Sequence, residues 1–290
     1  MDIERWCFMK LWNRFLSLPK RGRDSMLLAG EIIGLISTLA SILGVSLRDI
    51  AFLNLLTAFL TVLGLFVLIA IIVWFLIGWI HRKSINLDIN NTSVRVAVGD
   101  IFSLEGLRVI GCDTCFRTLV DDKVISKNSL HGRLILEHGN KSEIQKIVTQ
   151  RAEELGISRN HDGLYEFPLG TIIPYKSSVD NKTYLLLSMT SLNSDNESHT
   201  NMSKYEGMLM KMWSELNRVY ASHDIVLPLL GSGISRFDNG PKDHSSLLKC
   251  MICTLKNSGK SFNSKITIVL YGDDRKIALY ELLDVAKGGK

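Results

Sequence analysis

From Ala51 to Ile80 the chain runs thirty residues without a charged side chain. About 20 apolar residues suffice to cross the ~30 Å hydrocarbon core of a bilayer. A second apolar stretch, Met26 to Ser46, precedes it, and only Leu47-Arg48-Asp49-Ile50 lies between them. The pattern predicts a transmembrane hairpin of two helices over 26–80. At about 1.5 Å per residue the second helix would be about 45 Å long, so it must tilt or protrude. Trp74 and Trp79 near its end fit interfacial anchors. Upstream, Ile3, Cys7, Leu11, Phe15 and Leu18 recur at helical spacing among Arg5, Lys10 and Arg14. Residues 1–25 therefore read as a basic amphipathic segment lying in the headgroup layer.

Beyond residue 80 the pattern changes. Residues 81–92 are polar and read as a linker, leaving 93–290 as one domain. Short apolar runs bounded by turn residues predict strands at Ser93–Val98, Leu107–Cys112, Thr171–Tyr175, Thr183–Thr190, Ile225–Leu230 and Lys265–Tyr271. Helical periodicity predicts helices at Glu143–Leu155, Ser203–Tyr220, Lys242–Leu255 and Asp274–Val285. Runs of this kind suit strands covered on both faces. The alternation predicts an α/β domain with a mixed sheet between helices.

Charge places the chain. Residues 1–83 carry nine Lys/Arg against five Asp/Glu, and the remainder carries 25 against 24. The basic excess sits beside the apolar spans, so the soluble part lacks the surplus that nucleic-acid binding uses. Basic residues flank both ends of the apolar region, whereas the hairpin loop has Arg48 offset by Asp49. The bias predicts both termini of a multi-pass protein in the cytoplasm.

Small residues Gly30, Gly34, Ser37, Ser41 and Gly44 trace one face of the first span, and Thr57, Thr61 and Gly64 a lesser stripe on the second. Such faces permit close helix contact, within one hairpin or between chains. Glu31 fits either an interfacial, snorkelling position or a polar interior. Two C-x-x-C pairs, Cys112/Cys115 and Cys250/Cys253, have the local spacing of zinc ligands. They lie far apart in sequence, and the second pair falls inside a helical pattern without knuckle glycines. The expected reading is free thiols and no metal site.

Two glycine turns carry the candidate chemistry. Val98-Gly99-Asp100-Ile101 follows the first strand of the domain. Pro228-Leu229-Leu230-Gly231-Ser232-Gly233-Ile234-Ser235-Arg236-Phe237 follows a buried strand late in the domain. Ligands of open α/β sheets sit beyond the carboxyl ends of strands, and glycine there lets backbone N–H groups approach phosphate oxygens. Neither a Walker A loop nor a G-x-G-x-x-G fingerprint is present. Taken alone, Asp100 fits a turn or cap residue.

Together with Ile268-Val269-Leu270-Tyr271-Gly272-Asp273, these turns resemble the macro-domain family over about residues 90–286. A membrane hairpin joined to a divergent macro domain resembles the membrane effectors of Thoeris anti-phage defence systems. The resemblance implies a sensor for an NAD/ADP-ribose-derived nucleotide made by a TIR-domain partner enzyme. Membrane lipid and a second copy of the chain are further implied partners, and membrane disruption and cell death the implied output. It implies no cofactor and no catalytic residue. By position, Asp100 and Ile101 would read adenine, and Gly231, Ser232, Gly233, Ile234, Ser235, Arg236 and Phe237 would cradle the diphosphate and distal ribose. Tyr271 and Asp273 would lie near the adenine or its ribose. Family members that hydrolyse ADP-ribose linkages usually carry an asparagine-rich loop; here Gly111–Thr118 has no asparagine. That disfavours the alternative, a membrane-tethered ADP-ribosyl hydrolase, and leaves Asp113 and Arg117 as contacts to whatever the distal ribose carries.

Overall fold

The computed structural model describes residues 19–42, 55–80, 83–191, 199–233, 236–238, 240, 242–272, 274 and 277–287. The amphipathic segment expected over 1–18 and the turn between the apolar stretches lie outside the described residues. The chain forms two compact units: Met1–Lys83 with Ala278–Asp284, and Ser84–Ile277 with Val285–Lys290.

In the first unit, helix α1 (Lys20–Ile42) packs against helix α2 (Leu55–Ile80). Ser25 and Ala29 of α1 and Ile77 of α2 are buried. Arg21 lays its guanidinium 3.7 Å from the Trp74 ring centroid and donates from Nε to the Trp74 carbonyl at 2.6 Å. Among the described residues one helical stretch, Leu60–Ile80, is long and apolar enough to cross a membrane, with mean hydropathy 3.1. A Cβ added at Gly30, Gly34 or Gly64 would meet no atom within 4 Å. Among the described residues nothing packs closely on these glycines.

The first amides of a helix lack intrahelical acceptors, and a carboxylate there also suits the helix dipole. In α1 that acceptor is remote in sequence. The Lys20 and Arg21 N–H groups donate to the Glu281 carboxylate at 2.8 and 3.2 Å, and Tyr280 Oη donates to Asp24 Oδ2 at 2.6 Å. The helix expected over 274–285 is instead a 3-10 turn, Leu279–Glu281, followed by a short final helix, Leu282–Lys287. Asp274 is drawn into side-chain contacts described below, so it does not open a helix.

The second unit is a seven-stranded mixed sheet. Its strands are β1 (Ser84–Ile89), β2 (Thr92–Val98), β3 (Leu107–Asp113), β4 (Ile172–Lys176), β5 (Thr183–Thr190), β7 (Ile225–Pro228) and β9 (Ile266–Leu270), in the order β1-β2-β9-β7-β3-β5-β4. The five central strands are parallel, and β1 and β4 are antiparallel edges. A separate two-stranded pair joins β6 (His199–Thr200) to β8 (Arg236–Phe237).

Residues 84–92, expected as linker, form β1 and a hairpin turn. Ile85, Leu87 and Ile89 are buried while Asn86 and Asp88 are exposed. Asn90 and Asn91 take φ of 52° and 60°, the left-handed pair that a two-residue hairpin turn requires. The domain thus begins at Ser84, not 93.

One face of the sheet buries Ile110, Tyr184, Leu186, Val226 and Val269 against Ile144, Val148 and Ala152 of helix α3 (Lys141–Glu154). Val109, Leu185, Leu187, Leu227 and Ile268, one step out of phase, are buried as well. Helices α4 (Met202–Val219) and α5 (His244–Asn257) pack together, and α4 contacts β4 and β5. Both faces are covered, which explains why the strands read as continuous apolar runs. Asn140, Asn201 and Asp243 cap α3, α4 and α5 through their side-chain oxygens.

Candidate functional site

The parallel strands point their carboxyl ends to one edge of the sheet. Val98 pairs with Leu270 in register, and the Gly99 N–H donates to the Leu270 carbonyl at 3.1 Å. The Leu229 N–H donates to the Val269 carbonyl at 3.2 Å. The turns at Asp100, Tyr271 and Leu229–Gly233 therefore leave three neighbouring strands side by side. This is where α/β sheets bind ligands.

Asp100 caps the 3-10 turn Ile101–Ser103, with Oδ1 accepting from the Phe102 N–H at 3.1 Å. Its Oδ2 pairs with Nη2 of Arg133 at 3.2 Å. Ile101 is buried and opens the 3-10 turn. Arg133 was not expected from sequence; it lies 33 residues from Asp100. It ends the helical turn Leu130–Arg133, which Ser129 caps and which runs on as a π-helical turn, Leu134–His138. Gly132 is required there, because a Cβ would fall 2.2 Å from the Ser126 carbonyl oxygen.

Behind this pair stands an aromatic ladder. The Arg133 guanidinium lies 4.5 Å from the Phe102 ring centroid. Phe102 stacks on His138 at 4.3 Å and 11°. His138 Nδ1 and Tyr184 Oη both bond to Asp180 Oδ2, at 3.2 and 2.6 Å, and Lys182 Nζ donates to the Phe102 carbonyl. Hydrogen bonds from Tyr184 and the Lys182 amide outweigh partial burial and hold the Asp180 carboxyl below its usual range.

The second turn is anchored from below. Gly231 has φ +84° and packs near Tyr205 and Phe237. Tyr205 Oη donates to the Leu230 carbonyl at 2.8 Å, and its ring meets Phe237 edge-on. Phe237 is buried, so its side chain supports the loop from the core side. Gly233 is exposed, and a Cβ there would meet nothing within 4 Å. Ser232 Oγ donates to the Leu229 carbonyl at 2.9 Å and lies 3.3 Å from Asp274 Oδ2. The other Asp274 oxygen pairs with His244 Nδ1 at 2.6 Å. Burial pushes the Asp274 carboxyl above its usual range, opposed by His244 and the Ser232 hydroxyl. In this Ser-Asp-His order the carboxylate stands between the other two groups. Ser232 Oγ, bonded to a carbonyl and facing a carboxylate, acts as a loop strut. Tyr271 is 56% exposed. Ile234, Ser235 and Asp273 lie outside the described residues, as does the side chain of Arg236.

Asp113 does not present a free carboxylate. It is buried, and it accepts from the Cys115 and Arg117 N–H groups at 2.8 and 3.1 Å, folding its own loop. Arg117 Nη1 lies 3.9 Å from it. Beneath this loop His131 is buried; desolvation lowers its pKa to about 4, against the pull of nearby Asp113. Asp121 and Asp122 likewise cap local amides. Cys112 and Cys115 are buried with thiols pushed up by desolvation, while Cys250 is half-buried and Cys253 exposed on α5. Among the described residues no three His, Cys, Asp or Glu side chains are grouped to hold a metal ion. A cleft of about 180 Å³ lined by Ile147, Arg151, Pro174 and Arg218 lies on α3, β4 and α4, apart from these strand ends.

Residues 94–271 match the family described as Thoeris protein ThsA, Macro domain. The chain belongs to the ThsA family. A relative in it, the Thoeris protein ThsA of Bacillus amyloliquefaciens (strain Y2), is 30% identical over 235 residues, 77% of this chain and 77% of that protein. Similar solved structures include a glycine-to-valine mutant of the Oceanobacillus iheyensis macrodomain with ADPR, at 14% identity and a TM-score of 0.49, covering 69% of this chain and 97% of that one. The same macrodomain with ADP is 15% identical at a TM-score of 0.46, covering 69% and 95%. Within the ThsA family domain, the Asp100 turn, the Gly231 loop and Tyr271 fall in 94–271, and Glu281 lies beyond it.

Proposed function

We propose that this ThsA-family chain is the membrane effector of a Thoeris defence system and that its macro domain binds an ADP-ribose-derived nucleotide. The observation that carries the reading is the convergence of the Asp100 turn, the Leu229–Gly233 loop and Tyr271 on adjacent strand ends within the ThsA macro domain. Asp100 offers a fixed acceptor for an exocyclic amine, Ile101 a donor N–H for the base edge, and the open Gly233 a backbone for the diphosphate, on a loop held by Gly231. The nucleotide would come from a TIR-domain partner enzyme.

The apolar Leu60–Ile80 stretch supports anchoring in the inner membrane. On this reading α1 spans beside it as a hairpin and both termini are cytoplasmic. Nucleotide binding favours an associated state of several chains, whose helices then disrupt the membrane and kill an infected cell. Such a shift requires tighter binding to the associated state. The unpacked Gly30/Gly34 face is the surface through which chains would meet.

The test is titration of the full detergent-solubilised chain with ADP-ribose and NAD, with product analysis in parallel. Binding without turnover, weakened by Asp100→Ala, supports the sensor reading. Release of ADP-ribose from a modified substrate would favour the tethered hydrolase. A folded chain that binds neither nucleotide refutes both.

A further inference from the structure

We propose that Arg133 is the stacking platform for the nucleobase read at the Asp100 turn. The inference rests on the nucleotide-binding reading above and names the residue that sets its base preference.

A guanidinium is planar and has two faces. The Arg133 guanidinium carbon lies over the Phe102 ring, 4.5 Å from its centroid. Its edges are pinned by Asp100 Oδ2 at 3.2 Å and by Glu137 Oε2 at 3.6 Å from Nε. Phe102 cannot swing away, because His138 backs it at 4.3 Å and Lys182 holds its carbonyl. The guanidinium is thus held in place in advance, while 24% of the side chain stays accessible. A lysine would neutralise Asp100 equally well. What only arginine supplies here is a rigid flat cation continuing an aromatic stack.

Asp100 is 34% exposed. A carboxylate has about four lone-pair sites, and the Phe102 amide and Arg133 occupy two. The same point of the site therefore offers a stacking surface and, at its rim, an anionic acceptor. Bases stack on arginine planes as well as on aromatic rings. An amino group at the edge of the stacked base satisfies Asp100. A keto oxygen there would face the carboxylate with no proton to share, so hypoxanthine in place of adenine would be rejected.

The experiment uses the full chain in detergent, with ADP-ribose, its hypoxanthine counterpart and base-free ribose 5-diphosphate as probes, the last measured by displacement of ADP-ribose. The variants are Arg133→Lys and Arg133→Ala. The wild type should prefer ADP-ribose to the hypoxanthine nucleotide. Arg133→Lys, which keeps the charge beside Asp100, should weaken ADP-ribose about tenfold or more while leaving ribose 5-diphosphate within about twofold. Arg133→Ala should do the same. Loss of both probes together would make Arg133 a structural residue and overturn the proposal, as would an Arg133→Lys chain that binds ADP-ribose like the wild type. A folded wild type that binds no ADP-ribose overturns the nucleotide reading itself.

Discussion

His131 gives the macro domain an acid-sensitive foundation whose size can be worked out. It is 8% exposed, and burial lowers its pKa from the ordinary 6.5 to about 4. The folded protein keeps it neutral, whereas the unfolded chain takes up a proton below about pH 6.5. Stability from this group is therefore complete above that pH, falls as the pH drops, and is fully lost below about 4. The whole loss corresponds to about 3 kcal/mol. Between pH 7.5 and 5.5 the same linkage gives about 1.4 kcal/mol, or ~3–6 °C in Tm for a domain of this size. The assay is thermal unfolding of the full chain at both pH values, beside His131→Gln. The quantity that matters is the difference in pH dependence between the two proteins. The variant should lose less Tm on acidification by that amount, whatever its absolute stability. Equal acid sensitivity in both would refute the assignment of a buried neutral imidazole.

Gly132→Ala forces a Cβ to within 2.2 Å of the Ser126 oxygen; it should destabilise by ~2 kcal/mol or more and weaken ADP-ribose binding by displacing Arg133, read by thermal shift and titration. Tyr175 Oη accepts from the Asn140 N–H at 2.8 Å and donates to Glu143 at 2.9 Å, so Tyr175→Phe should cost ~1–2 kcal/mol in denaturant unfolding, and no change would deny that bond a role at the start of α3. A Cβ at Gly34 meets no atom within 4 Å among the described residues; with Gly34→Leu expression toxicity should fall while nucleotide affinity holds, and unchanged toxicity would remove this face from chain association. In the folded chain a maleimide should modify Cys253 before Cys112, since one is exposed and the other buried; the reverse order in peptide mapping would contradict the placement of α5 and β3.

The central sheet was legible because strands covered on both faces become unbroken apolar runs, and β5 runs from Thr183 to Thr190 as its pattern predicts. β1 was hidden by its own amphipathicity: Asn86 and Asp88 made the segment look like linker, although Ile85, Leu87 and Ile89 alternate with them. The site was legible where its chemistry is local, at the Asp100 and Gly231 turns. It was not legible where partners come from afar, as with Arg133 on Asp100 or His244 and Asp274 behind Ser232. Asp113 illustrates the opposite error, since an acidic residue at a strand end is as useful for folding its own loop as for touching a ligand.

Glu281 and Tyr280 tie a late segment of the chain to the first turn of α1. The first unit draws on two stretches, 1–83 and 278–284, and the chain returns to the second unit at Val285. A single proteolytic nick at the first crossing would not by itself free the domain. Residues 278–284 would still hold the severed helical fragment through the Lys20, Arg21 and Asp24 contacts.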